Sequence, residues 1–297
     1  MELKELVRKV FGKLAGVNKL QEQVDTMFYF LNAYLDPRDC PKATGALRDL
    51  QECDTLLLKI FDRVCRKHGL VYWLEAGTLL GAVRHGGFIP WDDDVDISMP
   101  RDDFDRAKTV LCEELRSYGI QAKEDMLMRR IGIGYKHKAT GVWIDVFPVD
   151  YCSMDLSDNS NRDALQSQIN MYRKHISNSD EKKMLHYREK YVTGLCKKEH
   201  AASVFFGPEA IARLHGWKLD HVFPLREINF EGHMLYAPAH ESYLQEFYGP
   251  NYMKFPKDGV LHHGDASGSL VDWARNSGTN MEDIKKELSS ILEHLEN

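Results

Sequence analysis

The chain contains no run approaching the roughly 18–20 apolar residues that a membrane-spanning helix needs. Its first 20 residues are charged throughout and hold no continuous apolar stretch, so they do not read as a secretory signal. Six cysteines (Cys40, Cys53, Cys65, Cys112, Cys152 and Cys196) are too scattered for a zinc knuckle and fit small core residues in a reducing compartment. An excess of positive charge is also missing. The formal net charge of −6 speaks against wide, non-specific nucleic-acid binding but leaves room for a small basic phosphate site. No internal repeat and no low-complexity tract is expected. The expectation is a cytoplasmic globular protein. At 297 residues, with 43% hydrophobic and 28% charged side chains, the chain can build one large domain with appendages.

Over the first 35 residues, apolar side chains recur at helical spacing: Leu3, Leu6, Val7, Val10, Phe11, Leu14, Val17, Leu20, Val24, Met27 and Leu31. Lys4, Arg8, Lys9, Lys13 and Lys19 make its start basic. One reading is a helix packed on the body or on a second subunit. The other is an amphipathic foot in peripheral contact with the inner face of an anionic membrane. A second apolar-periodic helix is expected from Leu47 to His68, closed by Gly69. Strands are expected at 71–74, 95–99, 130–135 and 142–149, the last broken by Pro148, and helices at 77–84 and 102–118. Residues 153–200 turn polar with helical spacing, and Arg226–Tyr236 reads as a hairpin turning at Glu231-Gly232. A short helix through 243–247 and an amphipathic helix from Met281 follow. The fold class expected is α+β: a mixed β-sheet core with flanking helices, a helical insertion and terminal helices. Its expected segments are 1–45, 46–152, 153–225 and 226–297.

The most informative stretch is Ile89-Pro90-Trp91-Asp92-Asp93-Asp94-Val95-Asp96-Ile97. On a strand, residues i and i+2 share a face, so Asp94 and Asp96 project together while Val95 and Ile97 point into the core. Paired carboxylates raise each other's pKa unless a cation lies between them. Hard oxygen ligands on a rigid strand suit Mg²⁺, with Mn²⁺ as the substitute. A solvated acidic loop accounts for Asp92 and Asp93 but not for the alternation that follows. Asp145, enclosed in Trp143-Ile144-Asp145-Val146-Phe147, offers a third carboxylate, because an isolated charge there would be costly. The competing reading of Asp145 is a structural loop cap. Upstream, Gly77-Thr78 opens a helix whose free N–H groups could receive a phosphate, with Thr78 as N-cap. Gly81 and Arg84 fall on the same face, and Arg84 could meet a phosphate bidentately.

The run Leu74-Glu75-Ala76-Gly77-Thr78-Leu79-Leu80-Gly81-Ala82-Val83-Arg84-His85, the segment Ile89–Asp96 and Ile144–Asp150 together resemble the LicD family of the nucleotidyltransferase fold. Phe230-Glu231-Gly232, Tyr236-Ala237-Pro238 and Tyr248-Gly249-Pro250-Asn251-Tyr252-Met253 fit the same family. The resemblance covers roughly 60–150 and 226–260. It implies a nucleotidyltransferase-like core and transfer of phosphocholine or an alditol phosphate from a CDP-alcohol donor, releasing CMP. The acceptor implied is a hydroxyl of a cell-surface glycan or glycolipid precursor. Asp94, Asp96 and Asp145 would serve as catalytic metal ligands. Gly77, Thr78, Gly81, Arg84, Lys136, His262 and His263 would face the donor or the proton transfer. A nucleotidyltransferase using a nucleoside triphosphate would need the same metal site but would release pyrophosphate. A non-catalytic nucleotide-binding protein would have no need of all three carboxylates.

Overall fold

A computed structural model describes residues 2–125, 130–135, 141–176, 181–211, 213–256 and 280–296. The chain opens with helix α1 (Glu2–Tyr34) and then α2 (Ala46–His68). The buried face of α2 carries Leu50, Cys53, Leu57, Ile60, Phe61 and Val64, and Gly69 caps it in the left-handed region at φ 60°. Next come β1 (Trp73–Leu74), α3 (Ala76–His85), β2 (Val95–Pro100), α4 (Arg101–Leu115), β3 (Ile120–Asp125), β4 (Arg130–Tyr135) and β5 (Trp143–Cys152). Helices α5 (Asn159–Ile176) and α6 (Glu181–Tyr191) form a hairpin. Then follow β6 (Ser203–Phe206), β7 (Gly216–Lys218), α7 (Leu219–Val222), β8 (Arg226–Phe230), β9 (His233–Ala237), α8 (Ser242–Tyr248) and α9 (Met281–Glu296).

The main sheet has the order β1-β2-β5-β4-β3, with β6 on β5 and β7 on β6. Its centre is the parallel pair β2–β5, in which Asp96 stands beside Asp145. All other pairings are antiparallel, so the sheet is mixed and the class is α+β. Val95, Ile97 and Met99 of β2 and Ile144 and Val146 of β5 are wholly buried, which is why these strands read as apolar runs. Helix α4 packs across β2, β3 and β5, and α9 lies along α2.

Three expectations change. Strand β5 does not break at Pro148 but runs on to Cys152. Its β4 partner ends at Val146 and β6 takes over from Val149, so the missing proline N–H falls between two partners. The 153–225 segment is helical only in its first part. Its second part supplies β6 and β7, which extend the main sheet, while α5 and α6 cover a small core around Cys152, Leu165, Tyr172 and Phe205. Strand β3 was not expected: it is an edge strand carrying Lys123 and Glu124, charges that blunt an edge and mask its periodicity.

The β8–β9 hairpin turns at Glu231 (φ 48°) and Gly232 (φ 82°), and its tip docks on the chain that follows α3. Glu231 accepts bonds from Arg48 at 3.1 and 2.8 Å, from Lys42 at 2.8 Å and from the Phe88 N–H at 3.4 Å. Despite partial burial, these cations hold its carboxyl down at about 2. Gly81 packs against this loop: a Cβ there would stand 2.4 Å from the Gly87 carbonyl oxygen and 3.0 Å from the Ile89 nitrogen.

Gly81→Ala should therefore cost about 1–3 kcal/mol in urea unfolding, the usual penalty of overpacking against backbone. A depressed carboxyl contributes stability above its unfolded pKa and loses it as pH falls. The stability gap between the parent and Glu231→Gln should therefore be full above pH 4.5 and shrink steadily below it, toward about 2. Urea melts at a series of pH values check this; a gap that widened on acidification would contradict the assignment.

Candidate active site

Helix α3 and strand β2 are clipped together at Asp96. The Asp96 N–H donates to the Thr78 hydroxyl at 2.9 Å, and the Asp96 carbonyl accepts from the Glu75 N–H at 3.0 Å. Thr78 is therefore not the N-cap. That position belongs to Glu75, whose side chain accepts from the Ala76 N–H, and Thr78 is 1% exposed beneath the helix. The buried Glu75 carboxylate also accepts from Trp73 Nε1 at 3.1 Å, Ser98 Oγ at 2.7 Å and the Tyr243 hydroxyl. Ala76 takes φ 44°, a strained value for a residue with a Cβ, at the point where the helix meets the acidic loop.

The loop ahead of β2 brings Asp92, Asp93 and Asp94 together. Their carboxylate oxygens lie within 4.8 Å of one another, and among the described residues this is the one acidic trio so gathered. Gln51 holds the loop by donating to the Asp92 carbonyl at 2.9 Å. Asp92 Oδ2 is buried without a hydrogen-bond partner. A Cβ on Gly77 would stand 2.8 Å from that oxygen, so Gly77 leaves room for Asp92 at the start of α3. Burial, then Asp94 and Asp93, push the Asp92 carboxyl up to about 8. Burial, then Asp94, Asp145, Asp92 and Glu75, push Asp96 far above the usual carboxylate range.

Asp94, Asp96 and Asp145 thus share one field of negative charge. Asp145, however, has its own partners: Oδ1 accepts from Trp143 Nε1 at 2.7 Å and Oδ2 pairs with Arg130 at 2.7 Å. The Trp143 ring lies over two glycines of β4, and a Cβ would come within 1.7 Å of it at Gly132 or 2.3 Å at Gly134. Arg84 is 5% exposed. Its guanidinium stands about 3.5 Å from the carbonyls of Tyr252 and Lys254 and 5.9 Å from the Trp91 ring. Gly81 serves packing. Lys136, His262 and His263 lie outside the described residues.

Residues 69–208 match the family model described as LicD/FKTN/FKRP, nucleotidyltransferase domain. That stretch, just under half of the chain, is similar to the LicD family's nucleotidyltransferase domain. Over 87 residues, 29% of this chain and 33% of the relative, it is 40% identical to the lipopolysaccharide cholinephosphotransferase LicD of Haemophilus influenzae. It is 37% identical over 108 residues to human ribitol 5-phosphate transferase FKRP, covering 36% of this chain and 17% of that protein. The mouse FKRP protein matches over the same shares at 35%. The chain thus matches a third or less of the length of these relatives. The match ends at 208, after β6, which agrees with the sheet running through the 153–225 segment.

Sequence reasoning passed over five groups around the site. Asp54 is wholly buried on the apolar face of α2, accepts from the Trp143 N–H at 2.9 Å and feels Asp94 and Asp93. A carboxylate between Cys53 and Leu57 on a buried stripe was a legible signal. Asp92 and Glu75 stood in plain view in the family segments. Arg130 and Tyr248 offered none, because only the fold brings β4 and α8 to this place. Burial and the charges of Glu75, Asp96, Asp92 and Asp94 raise the Tyr248 hydroxyl above its usual range.

Gly132→Ala must move the Trp143 ring and should cost about 1–3 kcal/mol. Trp143→Phe keeps a ring, deletes the Nε1–H to Asp145 and should cost about 1 kcal/mol. Urea unfolding compares both with the parent. Parent-like stability of Gly132→Ala would remove Trp143 as the brace of Asp145.

Proposed function

We propose that this chain is a LicD-type transferase that moves a phospho-alcohol, phosphocholine or an alditol phosphate, from a CDP-activated donor to a hydroxyl of a glycan or glycolipid. The carrying observation is the cluster of half-buried carboxylates at the start of β2, inside the matched domain and beside β5. In the reaction the acceptor oxygen bonds to the phosphorus that bears the alcohol, the bond from that phosphorus to CMP breaks, and CMP leaves with the electron pair.

The residues fit a divalent cation. A buried carboxylate oxygen on Asp92 without a hydrogen bond, next to the crowded charge of Asp94 and Asp96, calls for positive charge. Asp94 and Asp96 would hold Mg²⁺ or Mn²⁺, with Asp92 and Asp145 beside them. When bound, the cation supplies charge neutralisation at the attacking and leaving oxygens. The protein's own part is positioning, the usual source of acceleration in phosphoryl transfer. Glu75 and Thr78 hold the backbone of Asp96 on both sides, and Trp143 and Arg130 hold Asp145. Arg130, a partly exposed cation among the acids, is suited to meet a donor phosphate. A carboxylate of the cluster, kept ionised by the bound cation, would accept the acceptor's hydroxyl proton.

Incubation with CDP-choline, CDP-ribitol, CDP-glycerol or CTP, each with Mg²⁺, should release CMP from at least one CDP-alcohol. Excess chelator should abolish turnover. Asp96→Asn should lose turnover by ~100-fold or more, the scale of removing a transition-state charge contact. It should remain as stable as the parent without metal, because a neutral amide relieves repulsion. Pyrophosphate from CTP with no CDP-alcohol consumed would establish the triphosphate-using alternative instead.

A further inference from the structure

Helix α1 carries a pattern that the LicD-type site does not use. Counting by sevens from Leu3 gives Leu3, Val10, Val17, Val24 and Leu31; three residues after each come Leu6, Lys13, Leu20, Met27 and Tyr34. A strict seven-residue repeat over five turns of the pattern marks a seam that another helix covers by left-handed supercoiling. Among the described residues no helix covers its exposed part, while Val24 and Leu31 of the seam are half-buried. Val17, Leu20, Met27 and Tyr34 are 62%, 61%, 71% and 76% exposed, although α1 is tied to the body at Asn32, whose side chain bonds both the N–H and the carbonyl of Phe255.

We propose that α1 is a dimerisation helix whose partner is the α1 of a second copy of this chain, packed antiparallel. The charges choose both the partner and the direction. Residues 2–19 hold Lys4, Arg8, Lys9, Lys13 and Lys19 against Glu2 and Glu5, whereas residues 20–35 hold Glu22 and Asp25 alone. Parallel copies would set the basic halves side by side. Antiparallel copies set basic against acidic and let the two helix dipoles cancel. Pairing Val17 with the second copy's Leu20 places Val10 opposite Met27 and Leu6 opposite Leu31. The same register brings Lys13, the one charge on the seam, to the 24–25 stretch of the second copy, where Asp25 can compensate it. An anionic membrane surface fits the exposed part less well, because residues 17–35 offer it Lys19 against Glu22 and Asp25.

Sedimentation velocity and light scattering of the full chain from about 1 to 100 µM should show a dimer that dissociates on dilution. The double variant Leu20→Glu, Met27→Glu changes two exposed side chains, so it should keep the parent's melting temperature. Its dimer dissociation constant should be weaker by roughly 100-fold or more, because two carboxylates would be buried in an apolar seam. Leu185→Glu, a change at another exposed apolar residue outside α1, should leave the dimer intact. Under mild oxidation, Val10→Cys mixed with Met27→Cys should give a disulfide-linked pair that neither variant forms alone and the parent does not form. A monomeric parent throughout, or a dimer unmoved by the double variant, overturns the proposal. So does a monomeric parent that floats with phosphatidylglycerol vesicles, which would make α1 a membrane foot. Self-crosslinking of Met27→Cys alone would overturn the antiparallel arrangement.

Discussion

Everything near the site answers to one constraint: several carboxylates are enclosed together where their charges repel. Asp92, Asp94 and Asp96 follow one another into β2, Asp145 joins from β5, and Asp54 and Glu75 lie behind them. Burial strengthens that repulsion because water is no longer there to screen it. Such a cluster persists only if the surrounding structure dictates its geometry. Here the backbone of Asp96 is bonded on both sides by α3, the loop before it is held by Gln51, and Asp145 is braced by a tryptophan lying on two glycines. Negative charges enclosed in this way leave the cluster short of compensating positive charge.

The scaffold achieves this by making β5 serve three neighbours. Its start pairs with β4, its end with β6, and its middle runs parallel to β2, so the strand that carries Asp145 cannot move without the whole sheet. Distal segments then close the site from outside. The hairpin tip locks the loop after α3 through Glu231, and the stretch from α8 to Phe255 covers Arg84 and Trp91, with Trp91 and Phe255 stacked 6.1 Å apart. Residues far along the chain thus serve the same loop.

A separate buried network ties both parts of the 153–225 segment to the sheet. Asp150 near the end of β5 takes Arg101 from the start of α4 at 2.9 and 3.1 Å and Arg188 from α6, while Arg101 also meets Glu209 at 2.6 Å. Losing one member would leave a buried charge without its counterpart, a far larger cost than that of a surface pair. The helical hairpin α5–α6 is consequently part of the domain's ion-pair framework as well as a cover for its own small core.

Local pattern was enough to read most elements, because periodicity and capping are properties of short stretches. Helix α2 with its Gly69 cap, the β8–β9 turn at Glu231-Gly232 and strand β2 were all legible in this way. The acidic alternation at 94–96 was legible too, since a strand's geometry alone sends i and i+2 to one face. Long-range placement was not. Nothing local told that Thr78 would turn its hydroxyl to the Asp96 N–H, that Gly81 would face a backbone carbonyl, or that β6 and β7 would join the sheet from within a polar segment. By itself the sequence determined which residues could carry charge to a site and which elements would bear them. Only the tertiary structure decided which charges meet, because the pairing of β2 with β5 and the closing of distant segments over α3 depend on contacts separated by tens of residues.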